Sequence, residues 1–565
     1  MAKRTITVIL LNLMFCSSLF SQVKTINIKD YLHGKDATPA VFEAINHCKN
    51  AAAGKITFPK GKYEFWPDYA AEKFLFVSNN SEGLKRFAFD LTGMKNIEID
   101  GQGSEFIFHG FICPFLLDNS SNIKIRNFSV DYSRTFHSEG QIITTYMDSI
   151  DITFSQAFPY RVDKSKLIFQ DENHIEYPWG NLLEYDTQKK ETAFMADDFW
   201  CGSNPEVKEL SPGKVRLFLK RIKGTVGNTF VFGAGHRITS AFTIYKCSGI
   251  DISNVNIYHC GGMGVIAQLS RNITLDNLKI TPSPGSERVL SVSADATHFV
   301  NCSGKITMVN CTFENQNDDA TNIHGMYAHI DKIISPTESV VKYIYGFDFL
   351  STGDKVELVD PSSYITYDEN SITSVRRLNN QYSRITFKKP LISATKVGDA
   401  IASTTEYPEI LIKNCKIGKN RARGILLGSR GKIVIENNTF HTPGTAILLE
   451  GDARTGAEQA GVRDLTIRNN TFDNCNFSPG PWGTAAIQVR AGISESKRET
   501  SRYNRNILIE NNLFRAFTPR ILNMYCVDGL TYRNNKIEKT SDYKLTDDRA
   551  EPFIVSHSSN VKIDK

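Results

Sequence analysis

Ile433-Val-Ile-Glu-Asn-Asn-Thr-Phe440, Leu465-Thr-Ile-Arg-Asn-Asn-Thr-Phe472 and Ile507-Leu-Ile-Glu-Asn-Asn-Leu-Phe514 are one unit written three times. Apolar residues alternate with polar ones, an Asn-containing bend follows, and the alternation resumes. Looser copies occupy 250–257, 273–280, 305–313, 410–417 and 530–537. The starts at 250 and 273, at 410 and 433, and at 507 and 530 are each 23 residues apart. Alternation with period two describes short strands with one face buried. Asn suits the bend because it tolerates left-handed backbone angles and bonds to its own backbone. Asn repeated at one position can also stack as a hydrogen-bonded ladder. A unit of roughly two dozen residues cannot bury its apolar side alone and has to stack on its neighbours. The pattern predicts an all-β chain built as a right-handed parallel β-helix, with coils about 4.8 Å apart.

Working outward, Asn96-Ile-Glu-Ile99 and Asn122-Ile-Lys-Ile125 supply earlier coils. Residues 38–50 carry a helical pattern (Val41, Ile45, Cys48) suited to capping the open edge of the solenoid. The spans 133–238 and 329–403 lack the Asn-bend unit and read as alternating strands with turn signals, such as Ser211-Pro-Gly213 and Ser351-Thr-Gly353. They are expected to be two small β-rich, barrel-like insertions, and insertions on a repeat scaffold collect on one face, often the binding face. The predicted organisation is therefore a leader at 1–21, a cap and first coils at 22–132, coils at 239–328 and C-terminal coils at 404–565, separated by the two insertions.

The leader rests on Lys3 and Arg4, an apolar run from Ile6 to Phe15, and the small residues Ser17, Ser18 and Ser21. A lipoprotein reading through Cys16 ranks second, because Phe15 is bulky where such signals want a small residue. No later stretch is apolar enough for a transmembrane helix, so the mature chain is expected to be exported, periplasmic or extracellular, without membrane insertion. The formal charge of +5 falls to +3 once Lys3 and Arg4 are removed, and no basic stripe suggests a nucleic-acid partner. Of 11 cysteines, the ten beyond Cys16 show no metal spacing, so neither a metal nor a cofactor is expected. Cys311 and Cys415 fall at a buried position of the repeat and are expected to be free thiols.

The stretch richest in chemistry is Asp295, Ala296, Thr297 and His298, followed by Asn317-Asp318-Asp319 and, further on, Asn322 and His324. Asp295 and Asp318 are 23 residues apart, one coil, so the spacing puts them at equivalent positions with Asp319 adjacent. Crowded carboxyls split their proton affinities, one holding its proton while another stays ionised. Glycoside hydrolysis needs that split, an acid for the leaving oxygen and a carboxylate for water or the sugar. An isolated Asp pair is more often a solvated turn or a structural calcium ligand; the coil register and the flanking His298 and His324 favour function here. Weaker candidates for sugar contacts are His298, His324, Asn322 and Gln268, each with a structural alternative. Arg430, Glu450 and Arg490 follow short apolar strands of later coils, and surface charge explains them equally well. Trp482 is either a stacking platform for a sugar ring or a buried loop anchor.

Together with Phe58-Pro-Lys-Gly-Lys-Tyr-Glu-Phe-Trp-Pro-Asp68, the leader and the two insertions, the Asp constellation resembles glycoside hydrolase family 110, in particular its alpha-1,3-galactosidases of Bacteroides type. The resemblance runs over essentially the whole mature chain. It implies removal of terminal alpha-1,3-linked galactose from blood group B and linear alpha-galactosyl glycans, with inversion and without a metal. It further implies Asp295 as general acid, with Asp318 and Asp319 sharing the base role. Three rivals stand beside it. A polygalacturonase-like hydrolase would add Gly-His-Gly and Arg-Ile-Lys motifs, which are missing here. A lyase would use a Lys or Arg base. A non-catalytic glycan-binding β-helix would tolerate loss of all three Asp. Homo-oligomerisation is left open, with the insertions and an uncapped end of the β-helix as the two candidate surfaces.

Overall fold

A computed structural model describes residues 24–564 apart from 50–53, 81–82, 202–203, 234, 479, 546 and 548. The predicted leader and Cys16 lie outside the described residues. The repeat folds into a parallel β-helix whose walls are a 21-stranded and a 12-stranded sheet. Register follows the sequence unit: Ile410 pairs with Ile433, Ile433 with Leu465, Leu465 with Ile507, and Ile507 with Leu530. The inward positions form columns. Phe440, Phe472 and Phe514 stack with centroids 5.1 and 4.6 Å apart, and burying each such side chain contributes about 1.5–3 kcal/mol.

The two Asn of each bend do different work. The first takes the left-handed conformation, with φ of 58° at Asn437, 56° at Asn469 and 56° at Asn511. The second turns inward. The Asn470 Oδ1 accepts from Asn438 N and Nδ2 at 2.9 and 3.0 Å, while its Nδ2 donates to Ile435 O and Asn512 Oδ1 at 2.9 and 3.0 Å. Cys415 and Cys311 continue this column toward the N-terminus as free buried thiols, and Asn438 Oδ1 accepts from Cys415 N at 2.8 Å. At that end the helix Thr38–Cys48 covers the first coils, with Val41, Ile45 and Cys48 buried.

The insertions leave the solenoid between coils. The first is a seven-stranded antiparallel sheet accompanied by a three-stranded one, around Ile142, Phe154, Phe169, Leu217 and Phe232. The second is a closed six-stranded barrel running from Ala328–Ser335 to Ala400–Ser403. No helix among the described residues is long and apolar enough to cross a membrane.

Candidate active site

The three Asp gather at the bend before two neighbouring strands, Thr297–Val300 and Thr321–His324. Thr297 pairs with Thr321, a step from 297 to 321 of 24 residues. Asp295 therefore stacks on Asp319, and Ala296 N donates to the Asp319 carbonyl at 3.0 Å. The equivalence of Asp295 with Asp318 suggested by the 23-residue spacing is corrected: this coil steps from 297 to 321, one residue more than the 23 that separate Phe242 and Val265. Asp318 sits one position earlier in the bend and turns into a cavity that Asp295 and Asp319 do not line. On the next coil Thr321 pairs with Ile425, which brings Arg423 beside Asp319.

Three guanidinium groups organise the carboxyls. Arg237 Nη2, from the end of the first insertion, donates to Asp318 Oδ2 at 2.6 Å and lies 3.8 Å from Asp295 Oδ1. Arg421 Nη1 stands 3.1 Å from Asp318 Oδ1, and the same side chain grips Asp198 of the insertion through two hydrogen bonds of 2.8 and 2.5 Å. Arg423 forks onto both oxygens of Asp319 at 2.9 Å each, and its backbone N–H donates to Oδ1 at 3.1 Å. It also reaches Glu450 at 3.4 Å, and Glu450 accepts from Arg490 Nε at 2.9 Å.

Burial is the largest influence on all three carboxyls, and it favours their neutral forms. At Asp318 the positive charges of Arg421, Arg237 and Arg423 together outweigh it and hold the carboxyl below its usual range. At Asp295 burial prevails and pushes the carboxyl up to about 7. Burial pushes Asp319 up as well, to about 8. Both of its oxygens nevertheless accept from Arg423, a pattern that suits the ionised carboxylate, so we read Asp319 as the counter-ion that fixes Arg423.

Hydrogen-bond direction leads to the same assignment for Asp295. His324 Nδ1 faces the Gly325 carbonyl at 2.9 Å, which can only accept, so that nitrogen carries the hydrogen. In a neutral His324 the other nitrogen, Nε2, then accepts, and its neighbour at 3.0 Å is His298 Nε2, which must donate. Burial drives His298 down to about 3, so its ring is neutral and Nδ1 bears no hydrogen. Nδ1 stands 2.6 Å from Asp295 Oδ2, and the proton between them belongs to Asp295.

Above Asp318 lies a cavity of about 380 Å³, at the small end of the roughly 300–1,000 Å³ typical of small-ligand sites. Its floor includes Ser293, Asn317, Asp318 and Arg421, and its roof comes from the first insertion through residues such as Asn181, Asp198, Trp200 and Arg237. A buried acid, an ionised carboxylate beside it, and a pocket sized for a terminal residue make a site suited to cutting one sugar from a chain end.

Residues 138–228 match the family model described as GLAA-B beta-barrel domain I, 344–401 match GLAA-B beta-barrel domain II, and 399–565 match a right handed beta helix region. Over 536 residues the chain is 37% identical to alpha-1,3-galactosidase A of Shewanella woodyi, covering 93% of this chain and 87% of that protein. It is 30% identical over 573 residues to alpha-1,3-galactosidase B of Bacteroides thetaiotaomicron, covering 99% and 93% of the two chains. The chain belongs to the alpha-1,3-galactosidase family. It is accordingly a glycoside hydrolase, as the Asp constellation and the resemblance to glycoside hydrolase family 110 predict.

The other residues singled out from the sequence of this family member fall into distinct places. His298 and His324 lie behind Asp295, buried within the wall, and hold its proton rather than a sugar. Asn322 sits beside His298 on the next coil, buried in the same wall. Glu450 and Arg490 join the site indirectly, through Arg423. Three expectations are corrected. Gln268 is fully buried and accepts from Ser78 N at 2.5 Å, tying down the chain near the first coils. Arg430 is buried against Glu357 of the second barrel, remote from the Asp cluster. Trp482 is 3% exposed and packs with Leu183, Tyr185 and Leu290 under Arg421, so it anchors a loop and offers no face to a sugar. Arg237, Arg421, Arg423 and Asp198 went unread. Their only local signal is Arg421-Ala-Arg423 just ahead of a coil strand, and pairing it with Asp318 and Asp319 requires the coil register.

Proposed function

We propose that this protein is an exo-acting, inverting hydrolase of terminal alpha-1,3-linked galactose, accepting both blood group B-type branched and linear alpha-galactosyl glycans. The observation that carries the chemistry is the split pair: Asp295 keeps its proton while Asp318, one bend away, stays ionised under Arg237 and Arg421. Asp295 then protonates the glycosidic oxygen and Asp318 takes the proton of the attacking water. Arg237 Nη2 stands between the two carboxyls, 2.6 Å from Asp318 Oδ2 and 3.8 Å from Asp295 Oδ1, and inversion rests on the resemblance to glycoside hydrolase family 110. Asp319 keeps Arg423 in place. The galactose specificity and the alpha-1,3 linkage rest on the named relatives.

A second ordering of roles is favoured by one observation. Asp318 is the carboxyl that faces the cavity, whereas Asp295 and Asp319 are stacked behind it. In that ordering the stacked pair holds the water and Asp318 meets the leaving oxygen. Leaving-group dependence separates the two. The general-acid variant keeps most of its activity on alpha-galactosyl fluoride, which needs no protonation, and loses about 10²–10⁴-fold on a disaccharide; the base variant loses both. Asp295→Asn is expected to behave as the acid variant and Asp318→Asn as the base variant.

The overall reading is tested by incubating the protein with blood group B trisaccharide and galactosyl-alpha-1,3-galactose under proton NMR. Early appearance of β-galactose from both substrates is expected. Release of α-galactose first would overturn inversion, and no galactose from either would overturn the substrate assignment.

A further inference from the structure

Among the described residues that line the cavity, Trp200 is the one large apolar side chain open to solvent: its surface is 72% exposed. An indole at the mouth of a polar pocket offers a flat apolar face to a ligand that enters there. It is also held firmly. Phe199, the residue before it, exchanges two backbone hydrogen bonds with Leu182, at 2.9 and 3.0 Å. Asp198, one further back, is gripped by Arg421, whose other contact is Asp318. The backbone that carries the indole is thus tied to the same guanidinium that sets the charge of the site.

We propose that Trp200 forms the binding subsite for the sugar next to the scissile bond, its ring face stacking on the apolar face of that second pyranose. The inference rests on the exo-galactosidase reading. In that reading the terminal galactose enters the cavity over Asp318, and the remainder of the glycan leaves through the mouth where Trp200 stands. The pyranose C–H face and the indole are complementary there, and an aromatic with two side-chain torsions loses little freedom on binding. The other tryptophan near the site, Trp482, is buried and plays no such part.

The test compares kcat/KM of the full-length protein, Trp200→Ala and Trp200→Phe on galactosyl-alpha-1,3-galactose and on alpha-galactosyl fluoride, which lacks a second sugar. Trp200→Ala is expected to lose about tenfold more on the disaccharide than on the fluoride, and Trp200→Phe to recover most of that difference. Equal losses on both substrates, or none on either, would overturn the subsite. Calorimetric binding of the same disaccharide to Asp318→Asn, with and without Trp200→Ala, reads the subsite independently of turnover. Weaker binding of the disaccharide with unchanged binding of free galactose supports it even if the parent releases no product. Unchanged disaccharide binding overturns it. Absence of turnover by the parent on both substrates would count against the exo-galactosidase reading alone.

Discussion

Asp295 and Asp318 are the same residue type at neighbouring bends, near one shared guanidinium, and they end in opposite charge states because of what lies behind each. Asp318 has Arg237 and Arg421 against it, whereas Asp295 has a neutral imidazole whose tautomer is dictated two hydrogen bonds away by the Gly325 carbonyl. The pH profile follows with its sign. A folded carboxyl raised to about 7 holds its proton below that value and loses it as the pH rises through it. With Asp295 as acid, kcat/KM is full below pH about 7 and falls above it. Its acidic limb lies below the ordinary carboxylate range, where Asp318 protonates. An optimum confined below pH about 4 would instead favour Asp318 as the acid. His324→Ala frees His298 to turn its other tautomer toward Asp295, so the alkaline limb is expected to move down by about one pH unit or more. Activity on the fluoride substrate should fall far less than on a disaccharide; equal losses would reduce His324 to a packing residue. The sequence shows the three Asp and both His, because they cluster on two successive coils. It does not show their charge states, since Arg237, Arg421 and Arg423 arrive from other segments.

At the scale of the repeating element, adjacent asparagines separate two kinds of constraint that composition merges. Asn469 is needed for its backbone, held at φ of 56°, and Asn470 for its side chain, buried in the ladder. Asn469→Gly is expected to change stability by less than about 1 kcal/mol, because glycine takes the left-handed region freely. Asn470→Ala strands donors on Asn438 and takes a donor from the Ile435 carbonyl and Asn512 Oδ1, and is expected to cost about 2–3 kcal/mol or more by urea denaturation. Similar costs for the two would mean that the ladder contributes little. The repeat makes this element legible down to individual strands, since each apolar position recurs at fixed offset. A one-residue change in coil length is invisible to spacing alone, which is why Asp295 is found over Asp319. The joint between the second barrel and the returning coil carries a separate signature. Glu406 is partly buried there, its carboxyl pushed up to about 8 by desolvation, and accepts from Asn301. The native state keeps this proton up to about 8, while the unfolded chain releases it near about 4.3. Stability from this group is therefore present at low pH and lost as the pH climbs through that interval. Glu406→Gln should raise the melting temperature at pH 8 relative to the parent and leave it nearly unchanged at pH 4.

Across the whole molecule, the solenoid supplies a rigid floor and the first insertion completes the site from above. A β-helix wall by itself presents a long open groove, suited to a polymer. Arg237, Asp198 and Trp200 all come from the insertion, and they turn one stretch of that groove into a closed-ended cavity. The sequence announces an insertion at 133–238 by interrupting the repeat, but nothing in its local pattern says which loops return to the Asp bend. That information lies in contacts more than 80 positions apart, such as Arg237 with Asp318 and Asp198 with Arg421. The Asp198–Arg421 fork is one of several ties between roof and floor, beside Thr192 to the Asn420 carbonyl and Glu191 to His441, so it can be cut without disturbing either core. Asp198→Ala leaves Asp318 as the only carboxylate on Arg421 among the described residues, leaves the segment bearing Trp200 held by the Phe199–Leu182 backbone bonds, and draws the guanidinium further over the carboxylate. We expect kcat/KM on a disaccharide to fall about tenfold or more while the melting temperature stays within a few degrees, because the insertion keeps its own core and its other ties to the coils. If Asp198→Ala lowered the melting temperature steeply and activity only in proportion, the fork would be a fastening of the insertion and not part of how the pocket is shaped.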